Sequence, residues 1–201
     1  MTDRSGIFAG TDPFDIARRW MGEAVKSEPN DPDAAALASV DSDGLPDVRI
    51  VLVREIGAGT LTFFTNYQSA KGQELIASGK AALNFHWKSL RRQMRFRGTV
   101  VKAADEVSDA YFQTRHPVSR LGAWASDQSR VLKNRAELEA KVETMKLRFD
   151  DNAPRPPHWG GFALLPTQIE LWADGPNRLH DRFRWVRATD TGEWAVSRLF
   201  P

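Results

Sequence analysis

The chain contains no cysteine. Disulfides, thiolate metal sites and cysteine nucleophiles are therefore excluded, in keeping with a cytoplasmic setting. It also lacks any apolar run approaching the roughly 20 residues that cross a bilayer, and its opening Met1-Thr-Asp-Arg-Ser-Gly6 has no apolar signal core, so neither membrane insertion nor export is expected. A charge excess is missing too: 28 basic against 26 acidic residues leave a net charge of +2, too little to draw the chain to nucleic acid. Neither a GxGxxG turn nor a Walker loop occurs, so a nucleotide cofactor would have to be held by side chains and strand edges. The four histidines, His86, His116, His158 and His180, show no metal-ligand spacing, no serine lies in a nucleophile elbow, and no carboxylate pair is compelling. Catalysis by protein groups alone is not expected.

What is present suits one folded domain over residues 1–201, whose first ten residues are expected to be either disordered or closed over a site. A first helix is signalled by Asp12 as cap, Pro13 at the first helical position, and Phe14, Ala17, Met21 and Val25 at helical spacing. It should stop before Pro29. Short β runs follow at Ala35 to Val40, Val48 to Arg54 and Leu61 to Thr65, separated by turns at Asp43-Gly44 and Gly57-Ala-Gly59. A helix from Ser69 to Ser78 stopped by Gly79, a strand from Ala81 to Trp87, and a strictly alternating strand from Arg92 to Arg97 with Met94 and Phe96 inward come next. Asp105 to Arg115 reads as helix. Leu138, Val142, Met145 and Phe149 mark another, with Glu137 and Lys141 paired on its wet side. After the loop at residues 150–157, strands return at Phe162 to Leu165, Gln168 to Ala173, His180 to Arg187 and Trp194 to Leu199. Many short strands with tight turns and a few helices predict an antiparallel barrel or sandwich.

Of the 28 basic residues 20 are arginine, the side chain whose planar fork matches phosphate and carboxylate oxygens, although genomic base composition biases usage the same way. If Arg178 to Arg182 is extended, Arg178, His180 and Arg182 share one face and call for an anion among them; the plainer reading is a solvated edge strand with Asp181 as counter-ion. Arg49 and Arg54 close the two ends of the apolar run Ile50, Val51, Leu52, Val53, and their odd separation sends them to opposite faces. Phe64, Thr65 and Asn66 lead into Ser69-Ala70-Lys71, where a helix start, a hydroxyl and an ammonium can meet a phosphate. Tyr111, Arg115 and Ser119 can deliver three donors to one anion, and Gln128 and Ser129 offer an amide and a hydroxyl. Each of these groups alone is as well explained by an ordinary surface.

In combination these stretches resemble the pyridoxamine/pyridoxine 5'-phosphate oxidase family, flavoenzymes with an antiparallel split β-barrel of mainly β, α+β class. The resemblance runs from about Asp12 to Pro201. It rests on Arg49-Ile-Val-Leu-Val-Arg54, Phe63-Phe-Thr-Asn66, Ser69-Ala-Lys71, Arg92-Gln93, Gly122-Ala-Trp124 through Gln128-Ser129, Trp159-Gly-Gly-Phe162, Gln168-Ile-Glu-Leu-Trp172, Arg178-Leu-His-Asp-Arg182 and Arg198-Leu-Phe-Pro201. It implies FMN held by Arg49, Ile50, Val51, Leu52, Val53, Arg54, Phe64, Thr65, Lys71, Gln93, Gln128, Ser129, Trp172 and Arg182. It further implies a substrate phosphate gripped by Arg54, Tyr111, Arg115 and Ser119, with Arg178 and His180 as substrate-binding and catalytic groups over the pyridine ring. The implied reaction is oxidation of pyridoxine or pyridoxamine 5'-phosphate by dioxygen to pyridoxal 5'-phosphate and hydrogen peroxide, in a homodimer with sites at the subunit interface and with no metal, nucleic acid or membrane. A related split-barrel flavoenzyme acting on another substrate, and a non-enzymatic flavin or vitamer carrier, are the alternatives.

Three residues depart from the family pattern: Arg54 where lysine is usual, Ala70 where an arginine precedes the phosphate-binding lysine, and Phe64 where tyrosine is common. Arg54 keeps the charge but not the geometry, and Ala70 removes one guanidinium. The flavin should therefore be held less firmly than is typical; stoichiometric FMN surviving extensive dialysis of the purified protein would contradict this.

Overall fold

A computed structural model describes residues 4–150 and 152–201. Expectations that concern residues 1–3 and Asp151 lie outside the described residues. Helix α1 (Pro13–Ser27) begins as its sequence dictates, with the Asp12 carboxylate accepting from the Phe14 N–H at 2.9 Å. Its buried stripe is Phe14, Ile16, Ala17, Trp20 and Ala24. The expected stripe through Val25 is corrected: Val25 is 61% exposed. Trp20 rather than Met21 takes the central core position, and a residue five further on is rotated about 140° away from it. Gly6–Phe8 form a 3-10 turn, Phe8 packs against Trp20 and Phe183, and the Trp20 indole N–H donates to the Ile7 carbonyl at 2.8 Å.

The strands are β1 (Ala34–Val40), β2 (Pro46–Ile56), β3 (Leu61–Asn66), β4 (Lys80–Trp87), β5 (Arg92–Lys102), β6 (Trp159–Ala173), β7 (Asp181–Val186) and β8 (Ala195–Arg198). All pair antiparallel in the order β3-β2-β1-β4-β5-β6-β7-β8, and β3 also pairs with β6. That second pairing closes six strands into a barrel, with β7 and β8 continuing the sheet past it. The predicted α+β split barrel is the observed architecture. Its interior is filled by alternate residues of the strands, among them Leu37, Val53, Phe63, Phe85, Phe96, Phe162 and Ile169.

Helix α2 (Ala70–Ser78) is bracketed as expected, by the Ser69 hydroxyl accepting from Gly72 N–H and by Gly79 in the left-handed region at φ 61°. Helices α3 (Asp105–Thr114), α4 (Pro117–Ala125) and α5 (Arg135–Phe149) lie between β5 and β6. The sequence reading left α4 out, although Pro117 at its first position and the His116 cap, Nδ1 accepting from Val118 N–H at 3.3 Å, are start signals. On α5 the expected apolar face is only half-buried, and Lys141 meets Asp127 at 2.6 Å in preference to Glu137 at 4.0 Å.

The two strands expected at Phe162 to Leu165 and Gln168 to Ala173 are one continuous β6. Pro166 suggests a break because it brings no N–H to the ladder, but the register with β5 shifts between Arg97 and Gly98 and that irregularity accommodates it. Gly98 is essential there, since a Cβ would sit 2.7 Å from Pro166 Cα and closer still to the Leu165 carbonyl oxygen. Gly98→Ala should destabilise the fold by about 2 kcal/mol or more, read as a lowered urea midpoint; an unchanged midpoint would refute this account of the β5–β6 contact.

Candidate functional site

Strands β2 and β3, the start of α2 and the corner between α3 and α4 enclose a cavity of about 680 Å³. Ile50, Val51, Leu52 and Arg54 reach it from β2, and Phe64, Thr65 and Asn66 from β3. Lys71, Tyr111, Thr114, Arg115, His116, Ser119, Gln128 and Trp159 complete its wall. The α3–α4 corner is built by proline. His116, held extended at φ −54°, ψ 137° before Pro117, ends one helix and redirects the chain, so that Arg115 and Ser119 return to the wall that Tyr111 already lines. Arg115 is thus the cap of α3 and not its last turn, yet the predicted trio is brought together.

Phe64, Tyr111 and Trp159 form a cluster of nearly parallel rings: Phe64 stacks on Tyr111 at 4.0 Å and 17°, and Trp159 lies beside both, 5.6 Å from Phe64 and 6.2 Å from Tyr111. Cations sit over two of these rings: Arg54 Cζ is 5.9 Å from the Tyr111 centroid and Arg115 Cζ 4.7 Å from that of Trp159. Burial pushes the Arg115 guanidinium pKa down, and the charge of Arg54 adds to this. Its Nη1 is buried without a hydrogen-bond partner among the described residues. The Lys71 ammonium is likewise pushed down by burial first and by Arg49 second; its Nζ donates to Gln128 Oε1 at 3.1 Å, where Thr65 Oγ1 also donates at 3.3 Å. Two desolvated cations facing one hollow are stabilised by an incoming anion.

Not every predicted residue lines this cavity. Val53 is buried in the barrel core at 3% exposure, so only its backbone is available outside. Arg49 is engaged by Asp47 at 2.5 Å, by Glu74 at 3.0 Å and by the Ser39 hydroxyl. Ser129 is exposed and sits in the left-handed region at φ 71°. A second cluster forms elsewhere. Gln93, Trp172 and Arg182 are successive register partners across β5, β6 and β7 and line a separate hollow of about 210 Å³ with Asn84, Arg95 and Glu170. There the buried Glu170 carboxylate takes Arg182 at 2.7 Å and Arg95 at 2.5 Å.

The extended reading of Arg178 to Arg182 is overturned. Pro176–Arg178 form a 3-10 turn with Asn177 at φ 56° and Arg178 at φ 64°, and β7 begins only at Asp181. A Gly-Pro-Asn turn bends the backbone here, so strand alternation does not place Arg178, His180 and Arg182 on one face. His180 instead packs on Trp172, ring centroids 4.7 Å apart, with Nδ1 3.1 Å from Asp174 Oδ1. Arg178 borders a neighbouring hollow beside Arg91 and Asp174. Sequence reasoning missed Asn66, Thr114, His116 and Trp159 as wall residues. Trp159 stood in a quoted motif, and His116 carried the signal of its proline neighbour.

A family model described as pyridoxamine 5'-phosphate oxidase matches residues 21–149, and one described as the pyridoxine 5'-phosphate oxidase C-terminal dimerisation region matches residues 159–201. Similar curated proteins named pyridoxine/pyridoxamine 5'-phosphate oxidase come from Paracoccus denitrificans, 52% identical with all of both chains covered, and Cereibacter sphaeroides, 55% identical over 99% of this chain and 100% of the relative. Among solved structures, PhzG from Burkholderia lata in complex with tetrahydrophenazine-1-carboxylic acid superposes with a TM-score of 0.89 at 30% identity, covering 96% of this chain and 94% of its own. An FMN-binding protein from Nostoc punctiforme shares the fold at a TM-score of 0.75 and 19% identity, covering 96% and 100%. Matched by the two family models over nearly all of residues 21–201 and more than half identical to full-length relatives, the chain belongs to the pyridoxamine 5'-phosphate oxidase family.

Proposed function

We propose that the chain oxidises pyridoxine 5'-phosphate and pyridoxamine 5'-phosphate to pyridoxal 5'-phosphate with FMN as cofactor and dioxygen as final acceptor. The observation that carries this reading is one cavity in which Arg54, Tyr111, Arg115 and Ser119 converge beside Thr65, Lys71 and Gln128, with a buried Arg115 Nη1 that has no hydrogen-bond partner among the described residues. The donor set fits FMN: an ammonium and an amide beside a helix start for its phosphate, and an apolar strand, Ile50 to Leu52, for its ring edge. FMN bound there supplies the two-electron acceptor that no side chain of the chain provides.

On this reading Lys71 neutralises the cofactor phosphate while Arg54, Arg115, Tyr111 and Ser119 hold that of the substrate, fixing C4' in position. Arg178 and His180 orient the pyridine ring and assist proton movement at C4'. Those two residues, with Trp172 and Arg182, belong to the region matched by the dimerisation model, and in one chain they lie apart from the large cavity. A homodimer in which each subunit's C-terminal cluster completes its partner's cavity reconciles the two, and a cytoplasmic location suits the chemistry. Among the described residues no helix is long and apolar enough to cross a membrane. The alcohol substrate loses two hydrogens to dioxygen, giving aldehyde and hydrogen peroxide; the amine does the same and takes up one water as ammonium leaves.

Anaerobic titration of the FMN-loaded protein with pyridoxine 5'-phosphate should bleach the visible flavin band, and air should restore it with formation of pyridoxal 5'-phosphate. A band left unbleached by both the alcohol and the amine, with flavin bound, would turn the assignment toward another substrate or a carrier. Arg178→Ala should retain FMN and lower kcat by at least about tenfold, equivalent to ~1.4 kcal/mol; undiminished turnover would remove Arg178 from the reaction.

A further inference from the structure

Asp33 immediately precedes β1, and its backbone carbonyl accepts from Val53 N–H at 2.9 Å, which clamps it beside the end of β2. Its carboxylate Oδ2 accepts from Arg54 Nη1 at 2.6 Å. Arg54 stands where the β2–β3 register shifts, between Val53 and Glu55, so its side chain is set by what it touches and less by the ladder. Two other groups act on it. Tyr111 lies under its guanidinium at 5.9 Å, and Arg115, over Trp159 of the same aromatic cluster, repels it. With 38% of its side chain exposed, Arg54 has room to swing away from the cavity wall. The Asp33 carboxylate opposes that motion, occupying one Nη1 donor and leaving Nε and Nη2 for another anion.

We propose that Asp33 is a positioning residue for substrate phosphate, holding the Arg54 guanidinium at the cavity wall with its remaining donors free. This rests on the reading of Arg54 as a substrate-phosphate ligand. An exposed ion pair of this kind contributes little to stability, so its effect belongs in binding. A carboxylate that merely competed with phosphate for Arg54 would act in the opposite direction.

The test uses the full-length, FMN-loaded protein with inorganic phosphate as probe in calorimetry and pyridoxine 5'-phosphate in steady-state assays. D33A should weaken phosphate binding and raise KM by about tenfold each, with kcat within about twofold. D33N, whose amide oxygen still accepts, should recover about half of that loss on a logarithmic scale. In an R54K background D33A should add less than about twofold, because the fork it orients is gone. Equal or tighter phosphate binding by D33A would overturn the proposal, as would a fall in kcat at constant KM or an undiminished effect in R54K. Should D33A fail to fold, D33N carries the test, and phosphate binding equal to that of the unaltered protein overturns it. If phosphate binding responds as expected while pyridoxine 5'-phosphate is left unoxidised, the role of Asp33 stands and the substrate assignment falls.

Discussion

The pairing of β3 with the first half of β6 is the contact on which the rest of the molecule depends. It converts a sheet into a barrel, and it sets Phe64 and Thr65 opposite Gly161 and Gly160. A side chain at Gly161 would press on the Phe64 ring at 3.0 Å. With hydrogen there, the Phe64 ring has room to stack on Tyr111 with Trp159 beside both. The same glycine accepts at its carbonyl from Ala103 N–H and donates its own N–H to Ser108, binding the β5–α3 connection to the barrel. Barrel closure and construction of the cavity wall are therefore one event. A defect in either propagates to the other.

Charge in this protein is arranged in two tiers. Carboxylates behind the functional surfaces hold some arginines: Asp33 holds Arg54, Glu74 and Asp47 hold Arg49, and Glu170 holds Arg95 and Arg182 together. Among the described residues Lys71 has only the neutral Gln128 as hydrogen-bond partner and Arg115 Nη1 has none, and both side chains are partly desolvated. Removing charge from water without a counter-ion is costly, and at Lys71 and Arg115 that cost falls where an anion is expected to arrive. This division explains an arginine-rich composition with almost no net charge: many guanidiniums are architectural, and few are left for ligands.

Local signals were legible wherever they were self-contained. Asp12-Pro13, Ser69 and Gly79 announced helix ends that the fold reproduces, and the alternation around Met94 and Phe96 identified the inner face of β5. Convergence of Tyr111, Arg115 and Ser119 was legible from spacing even though a helix boundary falls between them. What failed were inferences that needed a tertiary partner. Pro166 looked like a strand break because the compensating Gly98 lies 68 positions earlier on β5. The shared face of Arg178, His180 and Arg182 presumed an extended backbone, whereas Pro176 and Asn177 bend it. Asp33 carried no motif, and its relevance appears only once β1 and β2 are side by side.

Strand β6 is one uninterrupted run of 15 residues, with Trp159 on the large cavity at its beginning and Trp172 on the smaller hollow near its end. Side chains on a strand alternate, so a one-residue insertion or deletion within it would turn everything beyond to the opposite face. Such an indel would bury what faces outward on one side of the lesion and misalign Trp172 with Gln93 and Arg182. Point substitutions along β6 can be graded in effect, but a change in its length cannot. The spacing from Trp159 to Trp172 therefore tolerates exchange of side chains but not a change of length.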